Sequence, residues 1–265
     1  MPRPITFLSD YGLADEFVGV CHGVIRRGAP DVPIVDITHG VTRHGVREGA
    51  LTLRNSLPYM PAGVHVAVVD PQVGTERRAV AVRCADEDRV LVGPDNGLLS
   101  LAWERFGGVV EAVDVSRSRH RLEPLSATFH GRDVFAPVGA ALAAGEPFAD
   151  AGDPLDPAEL TALELPEPRR EGDALVAHAL TIDGYGNVGL NIDHADAMAA
   201  GIRLGDRIAV NGHDAVVVQT FADVPAGELL LYEDAWRSLA LAVNRGDAAA
   251  VLGLRVDGEV RIAAA

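Results

Sequence analysis

The chain has 265 residues, 48% hydrophobic and 23% charged, which is the balance of a globular protein of one or two domains and excludes disorder as the main state. Its formal net charge of −15 opposes the phosphate backbones of nucleic acid, and no apolar run approaches the roughly 18 residues of a membrane span. All 23 basic side chains are arginine, so phosphate-loop, kinase-type and Schiff-base lysine chemistries are excluded.

MPRPITFLSD enters a strand-like segment at once, without the pattern of a secretory leader. Through about residue 145, short apolar runs, the shortest rich in β-branched residues, alternate with longer amphipathic ones. Ile5–Leu8, Pro33–Ile37, Val64–Val69 and Ala79–Val82 read as strands. Phe17–Arg27, Val46–Leu57, Asn96–Phe106 and Arg132–Ala144 read as helices, the second with Glu48 early and Arg54 late as a helix dipole favours. The pattern predicts an α/β N-terminal domain, 1–150, with a mostly parallel sheet covered on both faces. Cys21 and Cys84 are the only cysteines; they predict a reducing, cytoplasmic setting with no disulfide frame and no metal site.

The stretch from Gly145 to Asp173 holds five prolines and many acids, and predicts a linker over 151–172 with one short helix near Pro157–Leu163. Beyond it the period shifts towards two. Ala174–Ile182, Arg207–Val210, Ala215–Thr220 and Glu228–Tyr232 read as strands joined by turns such as Asn211-Gly212, with a short helix over Asp247–Leu254. A smaller C-terminal antiparallel, β-barrel-like domain over 173–265 is expected.

Three loops of the first domain follow strands or precede helices, where open α/β sheets present ligands. The first, Ser9 to Asp15, offers Asp10 and Asp15; two carboxylates suit hydroxyls or a cation rather than phosphate, although each also fits a plain turn or N-cap role. The second, Val69 to Arg78, carries Asp70 at a strand end and Arg77 seven residues on; a tight loop with Pro71 and Gly74 is able to return the guanidinium to the carboxylate and hold it ionised. A solvated turn with its arginines on Glu76 is the plainer alternative. In the third, Thr128 to Asp133, His130 beside Gly131 is held before a helical segment.

Gly184-Tyr185-Gly186-Asn187-Val188-Gly189 matches G-x-G-x-x-G but leads into Leu190-Asn191-Ile192, outside any βαβ unit, so a turn between strands is expected rather than a dinucleotide site. Asp183, Tyr185 and Asn187 are then available to a ligand, Tyr185 to stack on a flat ring and Asn187 to bond its edge.

LSDYGLADEF, VVDPQVGTERRAV, GPDNGLLS, ATFHGRDVFAP, TIDGYGNVGLNI and LALAVNRGDAA span nearly the whole chain. In that order they resemble the S-adenosylmethionine (SAM)-dependent fluorinase/chlorinase superfamily, specifically its hydrolase branch, the adenosine-forming SAM hydroxide adenosyltransferases. The resemblance implies an α/β domain joined to a β-barrel-like domain and a homotrimer with the SAM site between subunits. It implies that SAM is substrate, with no cofactor and no metal, and that adenosine and L-methionine are products. Asp10 would bind the ribose hydroxyls, and Asp15 and Asp183 would face the methionine ammonium. Asn187 would bind the adenine edge, with Tyr185 or Phe221 against its face and the backbone from Val243 to Arg245 also in contact. The Asp-Arg-His set that marks the hydrolase branch falls on Asp70, Arg77 and His130. Where relatives carry a serine near the methionine carboxylate, this chain reads Asp234-Ala235-Trp236-Arg237, which leaves Arg237 or backbone for that role; His44 stands where the halogenases have a tryptophan over the ribose.

The expected reaction is in-line attack of water at ribose C5′, the water placed by Asp70, Arg77 and His130, with either Asp70 or His130 as proton acceptor. Two alternatives stay open: a SAM-dependent halogenase, which a carboxylate at Asp70 disfavours because it repels halide, and a non-catalytic SAM- or adenosine-binding protein.

Overall fold

The computed structural model describes residues 3–264, and the chain divides into two compact units that meet between Leu163 and Glu164. The first unit is built on β1 (Ile5–Ser9), β2 (Ile34–Thr38), β3 (Val64–Val68), β4 (Ala79–Cys84), β5 (Val90–Pro94), β6 (Val109–Asp114) and β7 (Asp153–Leu155), in the order β2-β1-β3-β5-β4-β6-β7. β1 runs parallel to β2 and β3, and β3 to β5; β4 is antiparallel to both β5 and β6, and β7 to β6. Five strands, β1, β2, β3, β5 and β6, therefore point one way, and the sheet is mostly parallel as expected.

β1, β3 and β5 are buried at every position, as strands covered on both faces must be. Alternate residues go to opposite layers. Phe7, Val66 and Val68 pack with Cys21 and Ile25 of α1 (Phe17–Gly28), whereas Leu8 and Ala67 pack with Leu53 of α2 (Val46–Ser56) and Trp103 of α3 (Ser100–Arg105). α4 (Ala136–Ala144) joins α1 in the first layer through Val138 and Leu142.

Two expected helices start differently. Asn96 bends the chain by donating to Val69 O and accepting from Leu98 N, so α3 begins only at Ser100. The segment expected as one helix from Arg132 opens with a π-helical turn over Gly131–Phe135 before α4. β5 and β6 were not expected, because neither short apolar run shows alternation along its length.

The 151–172 stretch is not one free connector. β7 extends the first sheet, Pro157–Glu159 is a single 3-10 turn capped by Asp156, and the backbone of Thr161 and Leu163 donates to Asp95 and to Ser100. From Glu164 the chain belongs to the second unit, where β8 (Arg169–Glu171) pairs with β9 (Ala174–Ile182).

The second unit continues with β10 (Val188–Asp193), α5 (His194–Ala199), β11 (Arg207–Val210), β12 (His213–Val217), β13 (Leu229–Glu233), β14 (Ser238–Val243), α6 (Ala248–Leu252) and β15 (Glu259–Ala264). The order β10-β14-β13-β12-β11-β15-β9 closes on itself through β9–β10 into a seven-stranded barrel, antiparallel except for β12 with β13. The strand expected to reach Thr220 ends at Val217. The glycine-rich motif is the β9–β10 turn: the strands are antiparallel and Gly186 sits at φ +81°, which excludes a dinucleotide βαβ unit.

Candidate active site

β1 and β3 end side by side, and their following loops carry Asp10 and Asp70. Asp10 Oδ2 accepts from the backbone of His44, a residue held at φ +66°. The chain leaves Asp70, turns through Gly74 at φ +80° and re-enters β4 just after Arg77. At Gly74 an added Cβ would run into the carbonyl oxygen of Ala127, so the glycine lets this loop lie directly against the loop that leads to His130.

The close approach assembles a triad. Arg77 Nε donates to Asp70 Oδ1 at 2.9 Å, its Nη2 pairs with Asp70 Oδ2, and the same Nη2 donates to His130 Nδ1 at 2.9 Å. The Arg77 and Asp70 side chains are only 5% and 6% exposed, and the guanidinium lies 5.3 Å from the centre of the Phe135 ring. A guanidinium has no acceptor, so His130 Nδ1 must present its lone pair and the neutral ring carries its proton on Nε2. Burial and then the Arg77 charge push the His130 pKa below the ordinary imidazole value, against the weaker pull of Asp70 and Asp133.

Asp10, Asp15, Arg43, His44, Asp70 and His130 line one cavity of about 230 Å³. Arg77 is not among the lining residues and instead contacts Asp70 and His130, which are. An apolar side is made by Tyr11, Phe17 and Phe129, whose rings meet edge-on or tilted at 5.2–5.8 Å. Burial, then the nearby Cys21, Asp10 and Asp70, raise the Tyr11 pKa well above that of a free phenol, so it lines the cavity as a neutral hydroxyl. Sequence reasoning gave Tyr11 no role, although it adjoins Asp10. It also missed Asp133, which accepts from Ser126 N at 2.8 Å and from Arg132 Nε at 2.6 Å and so pins the His130 loop. Burial opposes ionisation of Asp133, yet the bonds from Arg132 and Ser126 carry its pKa below the usual carboxylate value.

The other expected residues lie in the second unit. Asp183 Oδ1 accepts from the backbone of Tyr185 and Asn187 at 2.8 and 2.9 Å, and its Oδ2 accepts from Asn187 Nδ2 at 2.8 Å. This leaves Asn187 Oδ1 as an acceptor and presents Tyr185 83% exposed. The Phe221 ring lies tilted at 56° against Tyr232 with centroids 4.9 Å apart, and burial, then Asp183 and Asp234, push the Tyr232 pKa up to about 12. Trp236 sits on the exposed β13–β14 turn, where its backbone donates to Asp234, and Arg237, at φ +68°, pairs with Glu233. The Val243 side chain is part of the barrel core, and Arg245 occupies a turn at φ +59°.

Fold and site place the chain in a class of two-unit proteins in which an α/β unit with a charged triad at its strand ends precedes a closed β-barrel. Comparison narrows the class: residues 5–152 match the SAM hydroxide adenosyltransferase N-terminal domain and residues 177–261 the C-terminal domain, and the chain belongs to that family. It is 47% identical to the (R)-S-adenosyl-L-methionine hydrolase of Salinispora tropica over 99% of both chains. A fluorinase of an Actinoplanes species is a more distant relative, 31% identical over 91% of this chain and 90% of its own. The crystal structure of an uncharacterized conserved protein from Thermotoga maritima superposes with a TM-score of 0.89 at 37% identity, covering 98% of this chain and 99% of that one.

Proposed function

We propose that the chain hydrolyses S-adenosyl-L-methionine to adenosine and L-methionine by attack of water on ribose C5′. The observation that carries the reading is the two-sided use of Arg77, which fixes both an acceptor, Asp70, and a ring, His130, on the wall of one cavity. The likeness to proteins named (R)-S-adenosyl-L-methionine hydrolase supports it.

In this mechanism the water donates one hydrogen bond to Asp70, whose oxygens each keep a lone pair beyond the one engaged by Arg77. His130 Nε2–H donates to the water and so turns its remaining lone pair towards C5′. The O–C5′ bond forms as the C5′–S bond breaks, the electron pair goes to sulfur, and methionine leaves neutral and unprotonated. Asp70 takes the water proton, and the His130 donor stabilises the developing hydroxide character. A sulfonium leaving group needs no redox or group-transfer cofactor.

Asp10 is the ribose partner in this reading, Asp15 and Asp183 face the ammonium, and Asn187 Oδ1 accepts from the adenine amino group beside Tyr185 or Phe221. Val243 to Arg245 supply backbone contacts to adenine, and Trp236 and Arg237 lie near the methionine carboxylate. A homotrimer, in which the second unit of one subunit meets the first unit of the next, brings these residues to the cavity. The reading places the enzyme in the cytoplasm, where the two buried free thiols, Cys21 and Cys84, stay reduced. No helix among the described residues is long and apolar enough to cross a membrane.

The test is the nucleoside product. SAM incubated with the protein should yield adenosine and methionine in equal amounts, with or without chloride or fluoride. A 5′-halo-5′-deoxyadenosine would make it a halogenase, and binding of SAM without methionine release would make it a sensor.

A further inference from the structure

On a different part of the first unit, His22 of α1, Asp36 of β2 and His39 just beyond β2 converge. His22 Nε2 lies 2.9 Å and His39 Nε2 3.1 Å from the same oxygen, Asp36 Oδ1. One ligand atom from each of the three residues lies within 4.8 Å of the other two.

His39 carries a second, independent signal. Its side chain is 3% exposed, and its Nε2 is fully buried without a hydrogen-bond partner, the contact with Asp36 falling outside hydrogen-bond geometry. Buried polar atoms are rarely left so, because their desolvation then goes uncompensated. The other ring nitrogen, Nδ1, is 2.7 Å from Ser9 Oγ. With Nδ1–H donating to that hydroxyl, Nε2 faces Asp36 as a bare lone pair, an arrangement that a bound cation relieves. A hydrogen bond that orients a ligating histidine through its other nitrogen is the usual partner of a metal site.

We propose that His22 Nε2, Asp36 Oδ1 and His39 Nε2 bind a divalent transition metal of the zinc class. Two imidazoles and a carboxylate match the ligand preferences of Zn²⁺ and Co²⁺. Bonds of about 2.0–2.1 Å in a tetrahedral site put ligand atoms about 3.3 Å apart, slightly wider than the two spacings here. His22 and Asp36 are 32% and 41% exposed, so the ion has an entry path and a water completes its shell. The reading of the two cysteines as no metal site does not reach this cluster, which contains no sulfur. The ion ties α1 to the edge strand β2 and to the turn at His39, whose carbonyl accepts from Gly12 N at 2.7 Å while Ser9 Oγ accepts from Tyr11 N at 3.3 Å. It thereby steadies the loop that carries Asp10 and Tyr11, and its existence does not depend on the proposed hydrolysis.

Untagged, chelator-treated protein titrated with Co²⁺ is the test. One equivalent should give the visible bands of four-coordinate Co²⁺, which Zn²⁺ then abolishes. Asp36→Asn and His22→Ala, both at partly exposed positions and checked by circular dichroism, should weaken Co²⁺ binding by more than about 10-fold, and Ser9→Ala by about 10-fold. No saturable binding at one equivalent, or affinity unchanged in both ligand variants, would overturn the proposal.

Discussion

Arg77 donates through Nη2 to Nδ1 of His130 at 2.9 Å, and this contact decides which ring nitrogen carries the proton. His130 thereby faces the cavity as a donor, and in the proposed mechanism proton acceptance falls to Asp70. Arg77→Lys keeps the charge but loses the fork that serves both partners. It should lower kcat by on the order of 100-fold or more while changing KM little, because Arg77 is off the cavity wall. Steady-state kinetics check this; a variant with near-parental kcat would remove Arg77 from the mechanism.

The same contact sets a pH response. Protonating His130 would place an Nδ1–H against the Arg77 donor, and burial adds to that penalty, so the ring stays neutral below the ordinary value of about 6.5. The acid limb of kcat should therefore fall below that pH. Histidine ring resonances followed by NMR give the sharper check: the His130 midpoint should rise in Arg77→Met and fall in Asp70→Asn, since Arg77 lowers it and Asp70 raises it.

Much of this was legible from residues alone. α1 and α2 show helical spacing, and β1 and β3 are short β-branched runs bounded by turns. Asp70, Arg77 and His130 stand in loops at strand ends. What could not be read depends on distant contacts. Arg77 meets His130 across 53 positions, so its place in contact with both Asp70 and His130 is a product of packing. Tyr11 becomes a wall only because Phe17 and Phe129 close around it. Proline and acid content made 151–172 look free, but β7 is fixed by pairing with β6, which composition does not encode.

Gly74 couples the Asp70–Arg77 loop to the loop that leads to His130. Any side chain there adopts φ near +80° and meets the Ala127 carbonyl. Gly74→Ala should cost about 1–3 kcal/mol of stability. It should also lower kcat, because relief of the contact separates the Arg77 loop from His130. Urea unfolding and kinetics on one preparation test both. A stability loss with unchanged kcat would show that the loops need not touch this closely.

In the second unit, Asp183 satisfies two backbone donors and the Asn187 amide. Asp183→Ala frees that turn and removes the proposed ammonium partner. KM for SAM should rise by about 10-fold, with kcat reduced less, since no atom of this turn belongs to the triad. Isothermal titration with a non-hydrolysable SAM analogue separates binding from turnover, and unaltered affinity would remove the turn from the substrate site.

His65 predicts how stability changes with acid. It is wholly buried in β3, with Nδ1 2.8 Å from Thr6 Oγ1 and Nε2 3.2 Å from Arg89 Nη1. Burial, then Arg89 and Arg3, lower its pKa to about 3. The unfolded chain takes up this proton near pH 6.5 and the folded chain only near 3, so below 6.5 the unfolded state binds more protons. Its contribution to stability is complete above about pH 6.5 and declines as the pH falls towards 3, by about 2–3 kcal/mol between pH 7 and 4.5. His65→Gln cannot titrate. It should be less stable at pH 7, where the fit to Thr6 and Arg89 is lost, yet show a shallower decline to pH 4.5 in urea unfolding. Parallel declines in the two proteins would mean that His65 is not a source of the acid sensitivity.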